Sequence, residues 1–126
     1  MLAYVVVQIA IEDPQAYEQY KVLAPPSIAA YGGRYLVRGG RSELLEGAWQ
    51  PPRLVILEFP TPAQARAWWS SPEYAPAKAL RQRCAQTEML LIEGGGPVPV
   101  AEVGRGWLAI RQSARGWRIR SRRPRR

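Results

Sequence analysis

The chain has no histidine, one cysteine and one phenylalanine among its 126 residues. Without histidine it lacks the commonest general base at neutral pH and the commonest metal ligand. A Ser-His-Asp triad, a histidine-ligated haem and a facial-triad iron site are therefore excluded, and we expect no metal and no other cofactor. The single cysteine, Cys84, excludes an internal disulfide and fits the reducing cytoplasm, where we expect the protein to be located.

Long apolar runs are also missing. No segment approaches the roughly 20 apolar residues of a membrane-spanning helix, so we expect no membrane span. The apolar segment 2–9 has no basic residue ahead of it and no cleavage pattern, and it predicts a strand instead of a signal peptide. The length is that of one domain.

The net charge of +8 is concentrated at one end of the chain. Residues 1–94 contain nine basic and nine acidic residues, whereas residues 95–126 contain nine arginines and one acid. We predict a domain over 1–94, followed by a Gly/Pro linker and a flexible Arg-rich tail. Disorder without a specific role is the leading interpretation of the tail, and nucleic-acid binding through its arginines and tryptophans comes second. Contact with an anionic membrane, a non-selected extension and a strand at WLAIR that adds to a sheet edge are the other options.

The turn and apolar patterns predict the order βαββαβ, which is the ferredoxin-like α+β arrangement with an antiparallel sheet. Asp13-Pro14 predicts the start of the first helix, and Pro25-Pro26 should interrupt it. Thr61-Pro62 predicts the start of the second helix, and a further helical segment should begin near Pro76. Strands are predicted over 2–9, 34–38 with a continuation over 42–46, 53–59 and 86–93.

The first, third and fourth strands are apolar on both faces. Two helices cover only one face of such a sheet, and residues 1–94 offer nothing else to cover the second face. The economical solution is a homodimer that packs sheet against sheet, the arrangement of a dimeric α/β barrel. A ligand cavity can then form between the sheet and the helices.

Several motifs together resemble the domain of unknown function 1330 family of the dimeric α/β-barrel superfamily. They are AYVVVQIAIEDPQAYEQY, AYGGRYLVRGG, VILEFPTPAQARAWWSSPEYAPAKALR and the closing LLIEG, and they cover residues 1–94 in order. The resemblance implies the ferredoxin-like fold and a homodimer, but no established activity. Residues 95–126 depart from it, since members of the family usually end near the position of Gly94.

Gly39 and Gly40 are the first candidates for a ligand site. One interpretation is a β-bulge that bends the second strand, and the other is room for a ligand beside the backbone. Arg38 precedes them and by alternation shares a face with Leu36. An unpaired buried arginine is costly, so we expect either an ion pair with Glu46 or Glu58 or an interaction with a ligand carboxylate or phosphate.

The remaining candidates are aromatic or lie on the second helical region. Trp68 and Trp69 are adjacent and cannot point the same way, so one should enter the core and the other a helix edge or cavity mouth. Tyr17, Tyr20 and Tyr74 can offer hydroxyls to a pocket, although Tyr17 and Tyr20 also follow the spacing of core residues. Arg81 is expected to be exposed or to cap the helix, although it too is kept as a candidate ligand contact.

These observations predict a protein that binds, and in one option transforms, a small organic molecule, with an anion favoured by Arg38. A structural dimer with a filled interior is the alternative, and a nucleic-acid role through residues 95–126 is a second. Haem-degrading relatives in the superfamily would require an axial ligand, for which only tyrosine, methionine or cysteine is present. Cofactor-free oxygenase or isomerase chemistry would require a polar cluster, which Arg38, Glu58 and the tyrosines can supply.

Overall fold

A computed structural model describes residues 1–95, and these residues form the predicted βαββαβ fold. The second helical region is divided in two, so three helices accompany the four strands. The elements are β1 (Leu2–Ile11), α1 (Pro14–Ala30), β2 (Arg34–Arg38), β3 (Leu54–Phe59), α2 (Pro62–Trp69), α3 (Ala75–Cys84) and β4 (Ala85–Gly94).

The four strands form one antiparallel sheet in the order β2-β3-β1-β4. Burial alternates along β1, as the pleat of a half-covered strand requires. The buried set faces the helices and forms the core together with residues of β3, whereas no helix of the described region covers the other face of the sheet. The buried strand residues are Ala3, Val5, Val7 and Ile9 of β1 and Val55, Leu57 and Phe59 of β3.

The first helix is continuous through Pro25 and Pro26, so the predicted interruption is wrong. The helix begins as predicted, because the side chain of Asp13 accepts a hydrogen bond from the backbone N–H of Ala16 at 3.2 Å. A proline inside a helix leaves the carbonyl four residues earlier without its usual donor. For Pro25 this carbonyl belongs to Lys21, and it accepts a hydrogen bond from an arginine side chain of the sheet, described below.

The second strand ends at Arg38 and does not continue over residues 42–46, which are exposed. The last ladder-like bond runs from the N–H of Gly39 to the carbonyl of Leu54, and Gly39 has a φ of +71°, which turns the chain away from the sheet. The bulge is at Leu36, where the register with β3 shifts, and not at the glycine pair. This extra residue reverses the face on which the next side chains lie.

The second helix begins at the predicted Thr61-Pro62, and α3 begins at Ala75, beside Pro76. Thr61 caps α2 by accepting a hydrogen bond from the N–H of Gln64 at 3.1 Å, and Gln64 in turn accepts from the Thr61 hydroxyl. Ser71 accepts from the N–H of Tyr74 and holds the turn that precedes α3. No helix of the described region is long and apolar enough to cross a membrane.

The uncovered sheet face carries the second apolar set that the sequence predicts. Leu90 is 60% exposed and Ile92 is 44% exposed, and both lie beside β1 on this face. At one end of the face the indole N–H of Trp49 donates to the side-chain oxygen of Gln8 at 2.6 Å. The loop between β2 and β3 therefore covers only this end.

Candidate functional site

A small cavity lies between α1 and the covered face of the sheet. Its volume is about 20 Å³, which is room for a water-sized molecule. Helix α1 contributes residues spaced by three or four positions, which lie on one face of a helix, and the strands contribute alternate residues. The lining residues are Val7, Ile9, Tyr17, Tyr20, Lys21, Ile28, Tyr35, Arg38, Arg53, Val55, Leu57, Trp68 and Met89.

The cavity lining carries three basic residues and no acidic one. Lys21 pairs with Glu18 at 3.1 Å on the exposed side of α1. Neither Arg38 nor Arg53 has a carboxylate oxygen within 4.0 Å among residues 1–95. The cavity therefore presents a positive charge that the neighbouring side chains do not neutralise.

Arg53 lies against Tyr17 and the backbone of Gly39. Its Nε donates to the Tyr17 hydroxyl at 3.2 Å, and its guanidinium carbon is 5.4 Å from the centre of the Tyr17 ring. A Cβ added to Gly39 would lie 2.7 Å from Nη2 of Arg53 and closer still to its Nη1 and Cζ, so it would overlap the Arg53 guanidinium. The missing side chain of Gly39 thus makes room for Arg53, whereas a Cβ on Gly40 would meet nothing within 4 Å.

Arg38 is exposed where the cavity meets solvent. Its guanidinium carbon lies 4.6 Å from the centre of the Tyr35 ring, and its Nη2 donates to the carbonyl of Lys21 at 2.8 Å. This is the carbonyl that Pro25 leaves without a helical partner, so Arg38 compensates for the proline inside α1. The side chain links the edge strand to the helix above it.

The predicted ion pair between Arg38 and Glu58 or Glu46 is absent. Because the bulge at Leu36 shifts the phase of β2, Arg38 pairs with Val55 and lies on the helix-covered face with Tyr35. Glu58 is on the uncovered face, where it accepts from Arg34 at 2.8 Å. Glu46 lies in the exposed loop. The sheet thus separates two residues that the sequence analysis combined into one site.

Arg81 is buried at 3% exposure, contrary to the expectation of an exposed or capping residue. Its Nε donates to the hydroxyl of Tyr74 at 3.1 Å, and its Nη1 donates to the hydroxyl of Thr87. The Tyr74 hydroxyl is 2.9 Å from that of Tyr20, which lines the cavity. Within the described range no carboxylate pairs with Arg81. A third guanidinium thus stands behind the cavity, connected to it by two tyrosines.

Burial favours the protonated form of two cavity tyrosines, Tyr20 and Tyr35. It is the main cause that raises the pKa of Tyr20 far above the ordinary value for tyrosine, and the nearby Tyr74 hydroxyl adds to the effect. Burial also raises the pKa of Tyr35, although the charge of Arg38 opposes the change. At neutral pH these phenols are therefore neutral hydrogen-bonding groups.

Trp68 and Tyr74 form the apolar wall behind this network. Trp68 is 1% exposed, and its ring centre lies 4.1 Å from that of Tyr74. Trp69 is 45% exposed, so the two tryptophans point in different directions, as the sequence predicts. The indole N–H of Trp68 donates to the hydroxyl of Ser27 at 3.1 Å. Both ring systems are packed into the core, with Trp68 also reaching the cavity lining.

The structure thus brings most predicted residues to one place. Arg38, Tyr17 and Trp68 line the cavity, Gly39 contacts its Arg53, and Tyr74 and Arg81 stand one layer behind. Glu58 and Gly40 lie away from it. Tyr20, which the sequence also offered as a pocket hydroxyl, lines the cavity as well. Three further polar residues of the lining were not predicted, because no spacing signal marked them as a group. They are Lys21, Tyr35 and Arg53.

A second hollow beside α2 is larger but differs in its charges. Its volume is about 460 Å³, and Trp69, Met89 and Leu91 contribute to its apolar lining. Its charged residue, Arg66, pairs with Glu93 at 3.5 Å. This groove therefore lacks the uncompensated charge of the cavity under α1.

The described residues contain no cluster of three potential metal-ligating side chains. Cys84 is buried in α3, and burial raises the pKa of its thiol, so it is poorly placed to act as a nucleophile. The sequence predicts a linker and an Arg-rich tail over residues 95–126. Residues 96–126 of this segment lie outside the described residues.

Sequence comparison places this fold in a family. A family of proteins described as a domain of unknown function, DUF1330, matches residues 2–95. The chain belongs to the DUF1330 family. No curated protein matches this DUF1330 chain.

Solved structures share the fold of this DUF1330 protein at low sequence identity. A protein of unknown function from Rhodopseudomonas palustris is 18% identical, with a TM-score of 0.62 over 76% of this chain and 84% of its own. SnoaB, a cofactor-independent oxygenase from Streptomyces nogalater, is 12% identical, with a TM-score of 0.54 over 78% of this chain and 97% of its own. A dimeric ferredoxin-like protein of unknown function from Jannaschia sp. is 14% identical, with a TM-score of 0.54 over 75% of this chain and 100% of its own. These similarities show the ferredoxin-like fold alone.

Proposed function

We propose that this DUF1330 protein binds a small organic anion in the cavity between α1 and the sheet. The observation that carries the proposal is the composition of the lining, which includes Arg38 and Arg53 with no acidic residue. Arg53 is partly buried and has no carboxylate partner among residues 1–95, and an anion that pairs with such a cation offsets the cost of removing it from water. A ligand carboxylate or related oxyanion would supply the missing charge through the planar donors of arginine.

The ligand would enter beside Arg38. The cavity now takes only a water-sized molecule, so a larger ligand requires a side chain to move. Arg38 is exposed and is held by one hydrogen bond to Lys21 and by its contact with Tyr35. Its rotation would widen the entrance and allow its guanidinium to turn from a carbonyl toward a charged acceptor, which forms the stronger hydrogen bond.

The alternative is a structural dimer with a filled interior. The small volume of the cavity fits this alternative, and the charge of the lining favours a ligand instead. The two ideas differ in what they expect of an added anion. A filled interior predicts no saturable binding, whereas the proposed site predicts binding that depends on the negative charge of the ligand.

Isothermal titration with benzoate and with benzamide, its neutral analogue, tests the proposal. We expect saturable benzoate binding and at least about tenfold weaker benzamide binding, because a hydrogen bond to a charged group contributes about 1.5–3 kcal/mol. Arg38→Ala should weaken benzoate binding by a similar factor. Arg83→Ala is the matched control, since Arg83 is exposed on α3 and does not line the cavity. Equal binding of the two compounds, or of neither, would contradict the proposal.

We further propose that two copies pack together through the uncovered sheet face, which would form a dimeric α/β barrel. The exposure of Leu90 and Ile92 on this face supports the proposal, since such a surface is unfavourable in water. The Jannaschia protein of the same fold is dimeric. Native mass spectrometry should detect a dimer that Leu90→Glu converts to a monomer. Leu45→Glu, in the exposed loop at 91% exposure, should remain dimeric. A monomeric wild-type protein would refute this assembly.

Catalysis is a separate part of the proposal. SnoaB is a cofactor-independent oxygenase, and we therefore propose oxygen uptake in the presence of a bound oxidisable anion as the assay. Saturable binding without turnover would identify a binding protein, and turnover would identify an enzyme. The single buried cysteine suits a reducing compartment, so the proposal places the protein in the cytoplasm.

A further inference from the structure

A chain of hydrogen bonds runs from Arg81 to the cavity, and the burial of its middle member determines its direction. Tyr74 is 0% exposed, and its hydroxyl oxygen lies 3.1 Å from Arg81 Nε and 2.9 Å from the Tyr20 hydroxyl. A guanidinium N–H can only donate, so the Tyr74 oxygen accepts from Arg81. The Tyr74 proton needs its own acceptor, because buried hydroxyl donors are nearly always satisfied. Among residues 1–95 the Tyr20 oxygen is the acceptor within reach.

This direction leaves the proton of Tyr20 available. Tyr20 lines the cavity, and its oxygen accepts from Tyr74, so its own O–H can donate to a ligand. The raised pKa of Tyr20 keeps that proton in place at neutral pH. Arg38 and Arg53 line the same cavity, so its lining carries three groups that can donate hydrogen bonds to a ligand.

The geometry also indicates the shape of the ligand. The rings of Tyr17 and Tyr20 have centres 5.4 Å apart and are inclined by 29°. With Tyr35 and Trp68, they give the cavity flat apolar walls. Flat apolar walls, with hydrogen-bond donors at Tyr20, Arg38 and Arg53, suit a planar aromatic molecule that carries an oxyanion.

Resting on the anion-binding function above, we propose that the ligand is a phenolate-type oxyanion, that the Tyr20 hydroxyl donates a hydrogen bond to its oxygen, and that Arg81 positions this donor through Tyr74. Tyr20 is then a ligand-binding residue. Arg81 acts through Tyr74 and is a positioning residue, which gives a role to a buried cation whose donors bond only hydroxyl groups among residues 1–95.

The probe for this inference is 4-nitrophenol, whose ionised and neutral forms have different absorption spectra. Bound to the wild-type protein, the probe should ionise at a lower pH than in free solution, because the site stabilises its anion. Tyr20→Phe should weaken nitrophenolate binding about tenfold or more, since it removes a hydrogen bond to a charged group. It should also move the pKa of the bound probe back toward the free value. Tyr31→Phe is the control, because the Tyr31 hydroxyl bonds Glu73 outside the cavity.

The positioning role of Arg81 has its own variants. Arg81→Met should reduce the pKa change of the bound probe, and Arg81→Lys should restore part of it by keeping a buried donor beside Tyr74. Tyr74→Phe should reduce the change as well, because Tyr20 keeps its hydroxyl but loses the bond that directs it. If these variants change melting temperature while the pKa of the bound probe stays at its wild-type value, Arg81 has only a structural role.

Two results would overturn the inference. One is a bound nitrophenol that ionises at its free pKa in the wild-type protein, a measurement that requires no variant to fold. The other is a folded Tyr20→Phe protein with unchanged nitrophenolate affinity. A failure of the underlying function is distinguishable, since benzoate would then not bind. Benzoate binding without nitrophenolate binding would overturn only the proposed ligand class.

Discussion

Replacement of Gly39 by alanine separates the two demands that the structure places on this position. The first is backbone conformation, because Gly39 has a φ of +71° and a side chain there costs about 1 kcal/mol. The second is space, because the added Cβ would displace the Arg53 guanidinium. Displacement would break the hydrogen bond from Arg53 to Tyr17, which contributes about 1 kcal/mol to stability. It would also break the contact of the guanidinium with the Tyr17 ring, which contributes about 0.5 kcal/mol.

The expected loss of unfolding free energy for Gly39→Ala is therefore about 2–3 kcal/mol, measured by urea denaturation. Gly47→Ala is the matched control: Gly47 has a φ of +92°, but nothing lies within 4 Å of its added Cβ. It should lose about 1 kcal/mol from backbone conformation alone.

Anion binding provides the second readout for the same pair of variants. Gly39→Ala should also weaken benzoate binding, because Arg53 leaves its place, whereas Gly47→Ala should bind benzoate as the wild type does. Equal destabilisation of the two variants, with unchanged benzoate affinity in both, would refute the role assigned to Gly39.

Three further predictions concern the core and its titrating groups. Trp68→Ala should cost about 3–5 kcal/mol in urea denaturation because it opens a cavity at a residue 1% exposed, and a loss no larger than that of Trp69→Ala, at 45% exposure, would contradict this. Because folding raises the pKa of Tyr20, the unfolded chain releases this proton first, so stability should fall as pH rises above about 10. Tyr20→Phe should show a shallower fall in alkaline denaturation, and an identical pH profile would contradict the assigned environment. The Cys84 thiol should react with a disulfide reagent only after unfolding, and rapid reaction of the native protein would show that it is accessible.

Much of the fold follows from local patterns in the sequence. Short apolar runs correctly predicted β1, β3 and β4, and the β-branched and aromatic residues of β1 favoured a strand there. The helix starts at Asp13 and Thr61 follow from capping chemistry, and both side chains accept the expected backbone hydrogen bond. The opposite fates of Trp68 and Trp69 follow from the spacing of helical side chains alone.

The composition of the site could not be derived in the same way, because it depends on a single extra residue. The bulge at Leu36 moves Arg38 to the face opposite Glu58. Strict alternation of side chains along β2 predicts Arg38 and Glu58 on the same face of the sheet. One extra residue in β2 moves Arg38 to the opposite face, so the two residues are not in one cluster. No turn residue marks Leu36, whereas the glycines that suggested a bulge serve the end of the strand.

Tertiary contacts explain the other differences. Pro25 is tolerated inside α1 because Arg38, from another element, bonds the carbonyl that the proline leaves free. Arg81 is buried because hydroxyl groups of Tyr74 and Thr87 accept its donors. The first effect joins two elements that are distant along the chain, and the second depends on the packing of α3 against β4, which carries Thr87, so the local pattern around each residue predicted the opposite outcome.

A crystal structure of the protein with bound benzoate tests the central claim most directly. We expect the carboxylate in the cavity under α1, within hydrogen-bond distance of Arg38 or Arg53, with Arg38 turned away from the carbonyl of Lys21. A structure in which the cavity remains water-sized and benzoate lies elsewhere would contradict it.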